Sequence, residues 1–163
     1  MVIITPVIGI PEYWWHKKAF KYAKNNPNLV EIDIDNLCYE CHRHKDILNN
    51  FDNDSNNFDK TEYWKYYEST KNNRVIMAKI VRYEKLYNKI KKNSYVPYED
   101  LSSIIITDDG CRLDGSHRLA ILEHMNVSKV IVNIFYYEKI FSKKESQEIR
   151  KVNKRYRKEM YGL

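Results

Sequence analysis

Glycine and proline are scarce in this chain, with four of each among 163 residues. That excludes collagen-like repeats and the compositions of disordered chains. Long apolar runs are missing too. The first ten residues, Met-Val-Ile-Ile-Thr-Pro-Val-Ile-Gly-Ile, are apolar but far too short to span a bilayer, and they carry neither a basic leader nor a small-residue cleavage site. No membrane span and a cytoplasmic location are therefore expected. Cysteine is rare and odd in number, three in all, which argues for reduced thiols and against a disulfide framework. An acidic excess is also lacking: 28 Lys and Arg against 22 Asp and Glu leave a net charge of +6 and a pI near 9.0. Such a surface favours anionic partners, whether nucleotides, sugar phosphates, nucleic acid or acidic lipid, and charge alone does not choose among them. What is present suits one globular domain: ordinary apolar content and a length that can bury a single core. The enrichment in Lys, Asn, Ile and Tyr fits coding by AT-rich DNA.

The spacing predicts a helix over residues 11–24, opened by Pro11, with Trp15, Ala19, Tyr22 and Ala23 on one face and the lysines on the other. Asn25-Asn26-Pro27-Asn28 ends it. Val30, Ile32 and Ile34 alternate with acids, the pattern of a half-buried strand. Residues 37–45 read as a loop or short helix, and the Asn- and Asp-rich residues 49–57 as an exposed loop. A helical insertion fills residues 58–92, with helices at about 60–69 and 74–91. In the second, Ile76, Ile80, Tyr83, Tyr87 and Ile90 recur at three- and four-residue steps. Residues 103–107 form a strand, Asp108-Asp109-Gly110 a turn and residues 111–113 a returning strand. A helix from Gly115 or Ser116 to about Asn126 follows, then a strand over residues 129–136 with Val130, Val132 and Ile134 on one face. A basic helix over residues 142–161 closes the chain, with eight Lys or Arg against three Glu from Ser142 onward. The fold class is α/β, a small mixed sheet with flanking helices.

The chemistry concentrates at Leu113-Asp114-Gly115-Ser116-His117-Arg118. A strand running through Asp-Gly straight into a helix leaves backbone N–H groups facing outward, and the helix dipole adds partial positive charge there. Such an end binds phosphate. Gly115 allows close approach, Ser116 caps the helix or touches an anion, His117 can contact a phosphate, and Arg118 offers a planar fork. Asp114 suits a magnesium ion bridging phosphates, or a proton taken from an attacking hydroxyl. The plainer alternative is that Asp114 and Ser116 only cap a helix while Arg118 pairs with a surface acid.

At these residues the chain resembles the ParB and sulfiredoxin superfamily, marked by a strand, a Gly-x-His-Arg or Gly-x-Arg-Arg loop and a helix beginning Arg-Leu-Ala-Ala; here the run is Gly115-Ser116-His117-Arg118-Leu119-Ala120. The resemblance covers residues 30–136 and implies a ParB/sulfiredoxin-like fold. The departures separate its branches. Sulfiredoxin places a catalytic cysteine before His-Arg where this chain has Ser116, so reductase activity is not expected. ParB proteins bind CTP, carry Arg-Arg after a Glu and continue into a helix-turn-helix domain, whereas here His117 stands in the loop and the chain ends soon after the fold. The free serine kinases of the superfamily carry Asp-Gly-x-His-Arg, matched by Asp114, Gly115, His117 and Arg118, and use an upstream glutamate as base, for which Glu40 is the candidate. The implied activity is transfer of a phosphoryl group from ATP or ADP, with Mg2+ and with CTP as another nucleotide, to a hydroxyl of an amino acid, polyol or sugar. The rival is a non-enzymatic nucleotide- or DNA-binding module of ParB type.

Other signals compete. Cys38-Tyr39-Glu40-Cys41-His42 spells the haem-attachment pattern, and His44 extends it toward a Cys2His2 zinc set, although four ligands within seven residues crowd a tetrahedral site. The plain reading is two buried or idle thiols and two surface histidines. Trp14 and Trp15 beside His16, Lys17 and Lys18 could stack a base or sugar ring, as could Tyr63, Trp64, Tyr66 and Tyr67, and both groups read more simply as core. Cys111 reads as a packed hydrophobe, His124 as a helix-end residue facing the dipole, and the basic tail as a solvated face that could also grip nucleic acid.

Overall fold

A computed structural model describes residues 11–34, 42–93 and 104–162. Among these the chain is mixed α/β, with six α-helices and a four-stranded mixed sheet. The described residues divide into two compact units: one built from residues 11–34, 104–115 and 129–162, the other from residues 42–93 and 116–128.

The first unit holds the sheet. Its strands are β1 (Leu29–Asp33), β2 (Ile105–Thr107), β3 (Arg112–Asp114) and β4 (Lys129–Phe135), in the order β1-β4-β2-β3. β4 pairs antiparallel with β1 and parallel with β2, and β2 pairs antiparallel with β3. Helix α1 (His16–Asn25) packs across β2, β3 and β4. Pro11 opens a single 3-10 turn, Pro11–Tyr13, so the α-helix begins five residues later than the proline suggests. The amphipathic reading of α1 holds, since Trp15, Ala19 and Ala23 are buried while Lys17, Lys18, Lys21 and Lys24 are exposed. Trp15 meets the Tyr137 ring edge-on at 5.3 Å, and Trp14, the other half of the tryptophan pair, is exposed. In β4, Val130 and Val132 are buried as expected, but Ile134 is only half buried and Asn133 on the opposite face is fully buried. The Asn133 amide explains the change: it donates to the Ala23 carbonyl at 2.8 Å and accepts the Asn28 N–H at 2.8 Å, tying the end of α1 to the entry of β1. Both buried polar groups are thereby satisfied.

Helix α6 (Lys143–Tyr161) starts with a capping box, Ser142 and Glu145 each accepting the other's backbone N–H, and ends at Gly162 in the left-handed region. Its inner face reads the β2–β3 turn. Asn153, fully buried, donates to Asp109 Oδ2 and to the Tyr137 hydroxyl, each at 2.9 Å, while that hydroxyl donates to Asp109 Oδ1 at 2.8 Å. Arg157 donates to the Asp109 carbonyl, and Arg150 bridges Asp108 at 2.7 Å and Glu138 at 2.5 Å. Arg150 holds the Glu138 carboxyl below its ordinary value. For Asp108 burial outweighs Arg150 and the carboxyl is pushed up.

The second unit is helical: α2 (His42–Asp52), α3 (Glu62–Glu68), α4 (Asn73–Asn93) and α5 (Ser116–His124). α2 packs on α3, α4 and α5, and α4 packs on α3 and α5. The expected stripe on α4 is the buried face, with Ile76, Ile80, Tyr83, Tyr87 and Ile90 all inside. Each such side chain contributes roughly 1.5–3 kcal/mol when fully buried. α2 corrects the loop expected from residue 49 onward. The helix runs to Asp52 because Ile47, Leu48 and Phe51 share one buried face, and that packing outweighs the Asn-rich composition. α3 is capped by Thr61, whose hydroxyl accepts the Trp64 N–H at 3.2 Å. α5 ends in a Schellman turn, Val127 N–H to Leu122 O at 3.0 Å and Asn126 N–H to Glu123 O at 3.0 Å, with Asn126 at φ +55°. Asp52 gathers three donors: the Tyr87 hydroxyl, His124 Nε2 at 2.6 Å and Lys91 Nζ at 3.3 Å. His124 therefore does more than face the dipole. Among the described residues no helix is long and apolar enough to cross a membrane.

Two outcomes are expected. Asn153→Ala strips donors from Asp109 and Tyr137 and should lower unfolding free energy by about 1–3 kcal/mol in urea titrations. The Tyr87 and His124 hydrogen bonds lower the Asp52 pKa to about 2, beneath the ~3.9 of an unfolded aspartate, so its stabilisation is complete above about pH 4 and fades as pH falls toward 2. Asp52→Asn should thus cost stability at pH 7, no more than ~1 kcal/mol for so exposed a group, with the gap to wild type closing near pH 2.

Candidate functional site: the turn after β3

β3 reaches its turn through an irregular pairing: Ile106 faces Arg112 and Ile105 faces Asp114, with a register shift between them that absorbs Leu113. A bulge of this kind re-aims the side chain beyond it. Gly115 then takes φ +98°, and a Cβ there would lie 2.8 Å from Ile104 Cα and 2.9 Å from Ile104 Cγ1. The backbone is pressed onto Ile104, so only glycine fits. The Gly115 N–H donates to Asp114 Oδ1 at 2.7 Å, so this amide, expected from the sequence to face outward, is instead paired with the carboxylate beside it. Asp114 Oδ2 is not part of that bond.

In the same unit His16, at the start of α1, lies within the field of Asp114. Burial lowers the His16 pKa below its ordinary value and Asp114 offsets part of the shift, so the imidazole is uncharged at neutral pH. Its Nε2 is buried and makes no hydrogen bond among the described residues.

Ser116, His117 and Arg118 belong to the second unit, in the first turn of α5, and each is half buried. The helix is anchored by Leu119, Ala120, Ile121 and Leu122, four consecutive buried residues. His117 sits among aromatic rings. Its Nε2 is 3.1 Å from the Tyr63 hydroxyl, and its centroid is 4.5 Å from those of His44 and Tyr83. His44 is buried, not a surface residue as its polar surroundings in sequence suggest, because the rings of Tyr63 and Tyr83 enclose it. The Arg118 guanidinium makes no ion pair or hydrogen bond among the described residues.

A cavity of about 190 Å³ opens beside His117, lined by Tyr63, Lys79, Arg82, Tyr83 and Leu86. Tyr63 and Tyr83 are both buried, and burial raises the pKa of each, so their hydroxyls stay protonated. A larger cavity of about 760 Å³ lies in the first unit between the end of α1 and the end of β4, with Tyr22, Asn26, Tyr136 and Lys139 in its wall. Its acid, Glu138, is held by Arg150.

Of the residues singled out in the sequence, Asp114 and Gly115 close the sheet and Ser116, His117 and Arg118 open α5. Glu40, Cys38 and Cys41 lie outside the described residues, as does the side chain of His42. Cys111 is fully buried in the core of the first unit, the packed position expected of it. Among the described residues no group of three or more His, Cys, Asp and Glu could hold a metal by itself. Asp114 could still join a magnesium ion carried by phosphates, since that ion takes one or two carboxylates and fills its remaining positions with phosphate and water. The sequence offered His16 only as a neighbour of the tryptophan pair and did not single out Lys79 and Arg82. The signal was present on α4, where Lys79 and Arg82 stand three apart beside the apolar stripe and so share a side of the helix.

Compared with known protein families, with functionally characterised proteins and with solved structures, the chain matches none.

Gly115→Ala should lower stability by roughly 2–4 kcal/mol, through left-handed backbone strain and overlap with Ile104. Thermal unfolding followed by circular dichroism would read this as a clear fall in Tm, and an unchanged Tm would contradict the close seat of residue 115.

Proposed function

We propose that the chain is a nucleotide-dependent phosphotransferase that uses the turn at Asp114-Gly115-Ser116-His117-Arg118 to hold phosphate and a carboxylate to manage the acceptor proton. The observation that carries the reading is Gly115, whose φ of +98° and contact with Ile104 admit no side chain where β3 passes into α5. Support also comes from the Arg118 guanidinium, which makes no ion pair or hydrogen bond among the described residues. The reading follows the resemblance to the ParB and sulfiredoxin superfamily, in its free serine kinase branch.

In the proposed reaction the acceptor oxygen attacks the terminal phosphorus of ATP or ADP, a new P–O bond forms, and the bond to the leaving nucleotide oxygen breaks. The hydroxyl proton passes to a carboxylate, Glu40 by the resemblance. Arg118 and the first amides of α5 would meet charge on the phosphoryl oxygens, and alignment of this kind supplies most of the catalysis in phosphoryl transfer. Magnesium, when bound with the nucleotide through Asp114, would neutralise further charge. The acceptor is a small hydroxyl compound of the amino acid, polyol or sugar class.

A second reading, a ParB-like nucleotide- or DNA-binding module, is favoured by α6. Arg150 and Arg157 are engaged at the β2–β3 turn, but Lys143, Lys144, Lys151, Lys154, Arg155 and Lys158 are exposed. Melting shifts with ATP, ADP or CTP plus magnesium identify the nucleotide by mass action, and phosphorus NMR with pooled hydroxyl compounds separates a transferase from a binding module. Asp114→Asn, whose amide oxygen can still accept the Gly115 N–H, and Glu40→Gln should each cut kcat/KM by about 10²-fold or more with little change in Tm. Undiminished turnover in both variants would refute the roles given to these carboxylates. Salt-sensitive DNA binding that survives Arg118→Ala, with no transfer to any acceptor, would favour the second reading.

A further inference from the structure

Among the described residues, two cations line the 190 Å³ cavity of the second unit without a counter-charge. Lys79 is half buried, with its ammonium 5.0 Å from the centre of the Tyr67 ring, and Arg82 lies one helical turn further along α4. Among the described residues neither has a carboxylate within ion-pair distance. Arg43, whose guanidinium stacks 3.8 Å above the Tyr66 ring, adds positive charge felt at Tyr63 and Tyr67, and its buried Nε makes no hydrogen bond among the described residues. The floor consists of Tyr63 and Tyr83, aromatic groups fixed by packing, with His117 at its edge. Like charges side by side at the mouth of an open pocket repel one another, and an anion bound between them relieves that repulsion.

We propose that this cavity binds a phosphate group carried by a small molecule. The Lys79 ammonium and the Arg82 fork supply several charged donors from adjacent turns of α4, while the Tyr63 hydroxyl and His117 Nε2, 3.1 Å apart and engaged with each other, form the wall; two cations favour a phosphate dianion over a singly charged carboxylate. The volume falls below the ~300–1,000 Å³ of pockets that enclose whole ligands, so the cavity takes the phosphate end and leaves the rest of the molecule outside. The inference goes beyond phosphoryl transfer: it shares His117 with that reading but needs neither the Gly115 turn nor Glu40, and such a site would serve a binding module equally.

The test is calorimetric titration of the full chain with inorganic phosphate, pyrophosphate, AMP and ATP at matched ionic strength, with acetate as the carboxylate control. Wild type should bind phosphate, and Lys79→Gln with Arg82→Gln together should weaken it more than tenfold, with Tm unchanged because both side chains lie outside the buried stripe of α4. Tyr63→Phe should weaken binding by a smaller factor, and phosphate should shift the ring NMR signals of His117. Preference for AMP or ATP over inorganic phosphate would assign the group to a nucleotide, and equal affinity would assign it to phosphate itself. Absence of phosphate binding at millimolar concentration, equal affinity in the double variant, or acetate bound as tightly would overturn the proposal. Phosphate binding that depends on Lys79 and Arg82, in a protein that turns over no acceptor, would uphold this site while removing the transferase reading. Turnover lost in Asp114→Asn, with phosphate binding indifferent to Lys79 and Arg82, would do the reverse.

Discussion

Between Gly115 and Ile104 there is room for a hydrogen atom and nothing larger. That single approach lets β3 end against β2 and turn at once into α5, with a backbone conformation that other residues reach only under strain. Asp114 is held at the last sheet position, with one oxygen committed to the Gly115 amide, and the three residues after the glycine enter a helix whose next four are buried. The side chains of the candidate turn therefore belong to a segment with little conformational freedom. A turn built this way has its entropy of ordering met by folding, before any ligand arrives.

Charge is distributed with the same economy. The β2–β3 turn carries two consecutive aspartates, an arrangement that would repel itself if left alone. α6 answers it with Arg150, Asn153 and Arg157, so part of the basic tail is a structural counter-charge. The opposite arrangement holds on α4, where Lys79 and Arg82 flank a cavity and have no acid close by among the described residues. The net charge of +6 thus divides into cations already neutralised and cations available to a partner, a division that composition cannot reveal.

Much of the secondary structure was legible because its causes are local. Period-two alternation marked β1, the three-and-four spacing of Ile76 to Ile90 marked α4, and Asp108-Asp109-Gly110 marked the β-turn. What was not legible depended on long-range packing. Asn49 and Asn50 look like loop residues until Ile47, Leu48 and Phe51 are buried beneath them. Asn133 looked like the polar side of a strand, but two backbone partners more than a hundred residues away make it a buried tie. His44 seemed a surface or metal-binding residue until Tyr63 and Tyr83 closed around it. The candidate turn was readable from its motif, and so was the three-residue spacing of Lys79 and Arg82, but that spacing became the wall of a pocket only where α3 and α5 pack on α4.

Neither unit is a continuous piece of chain. β1 precedes nearly all of the helical unit in sequence, yet its partner β4 comes after it, so Leu29 pairs with Asn133 across about a hundred intervening residues. Closing so long a loop carries an entropic cost that helix formation among residues 42–93 does not share. During synthesis the helices can form while β1 waits, unpaired, for the ribosome to deliver β4. Until then its edge is exposed to other chains, and alternating acids such as Glu31 and Asp33 on that strand are a natural guard against mispairing.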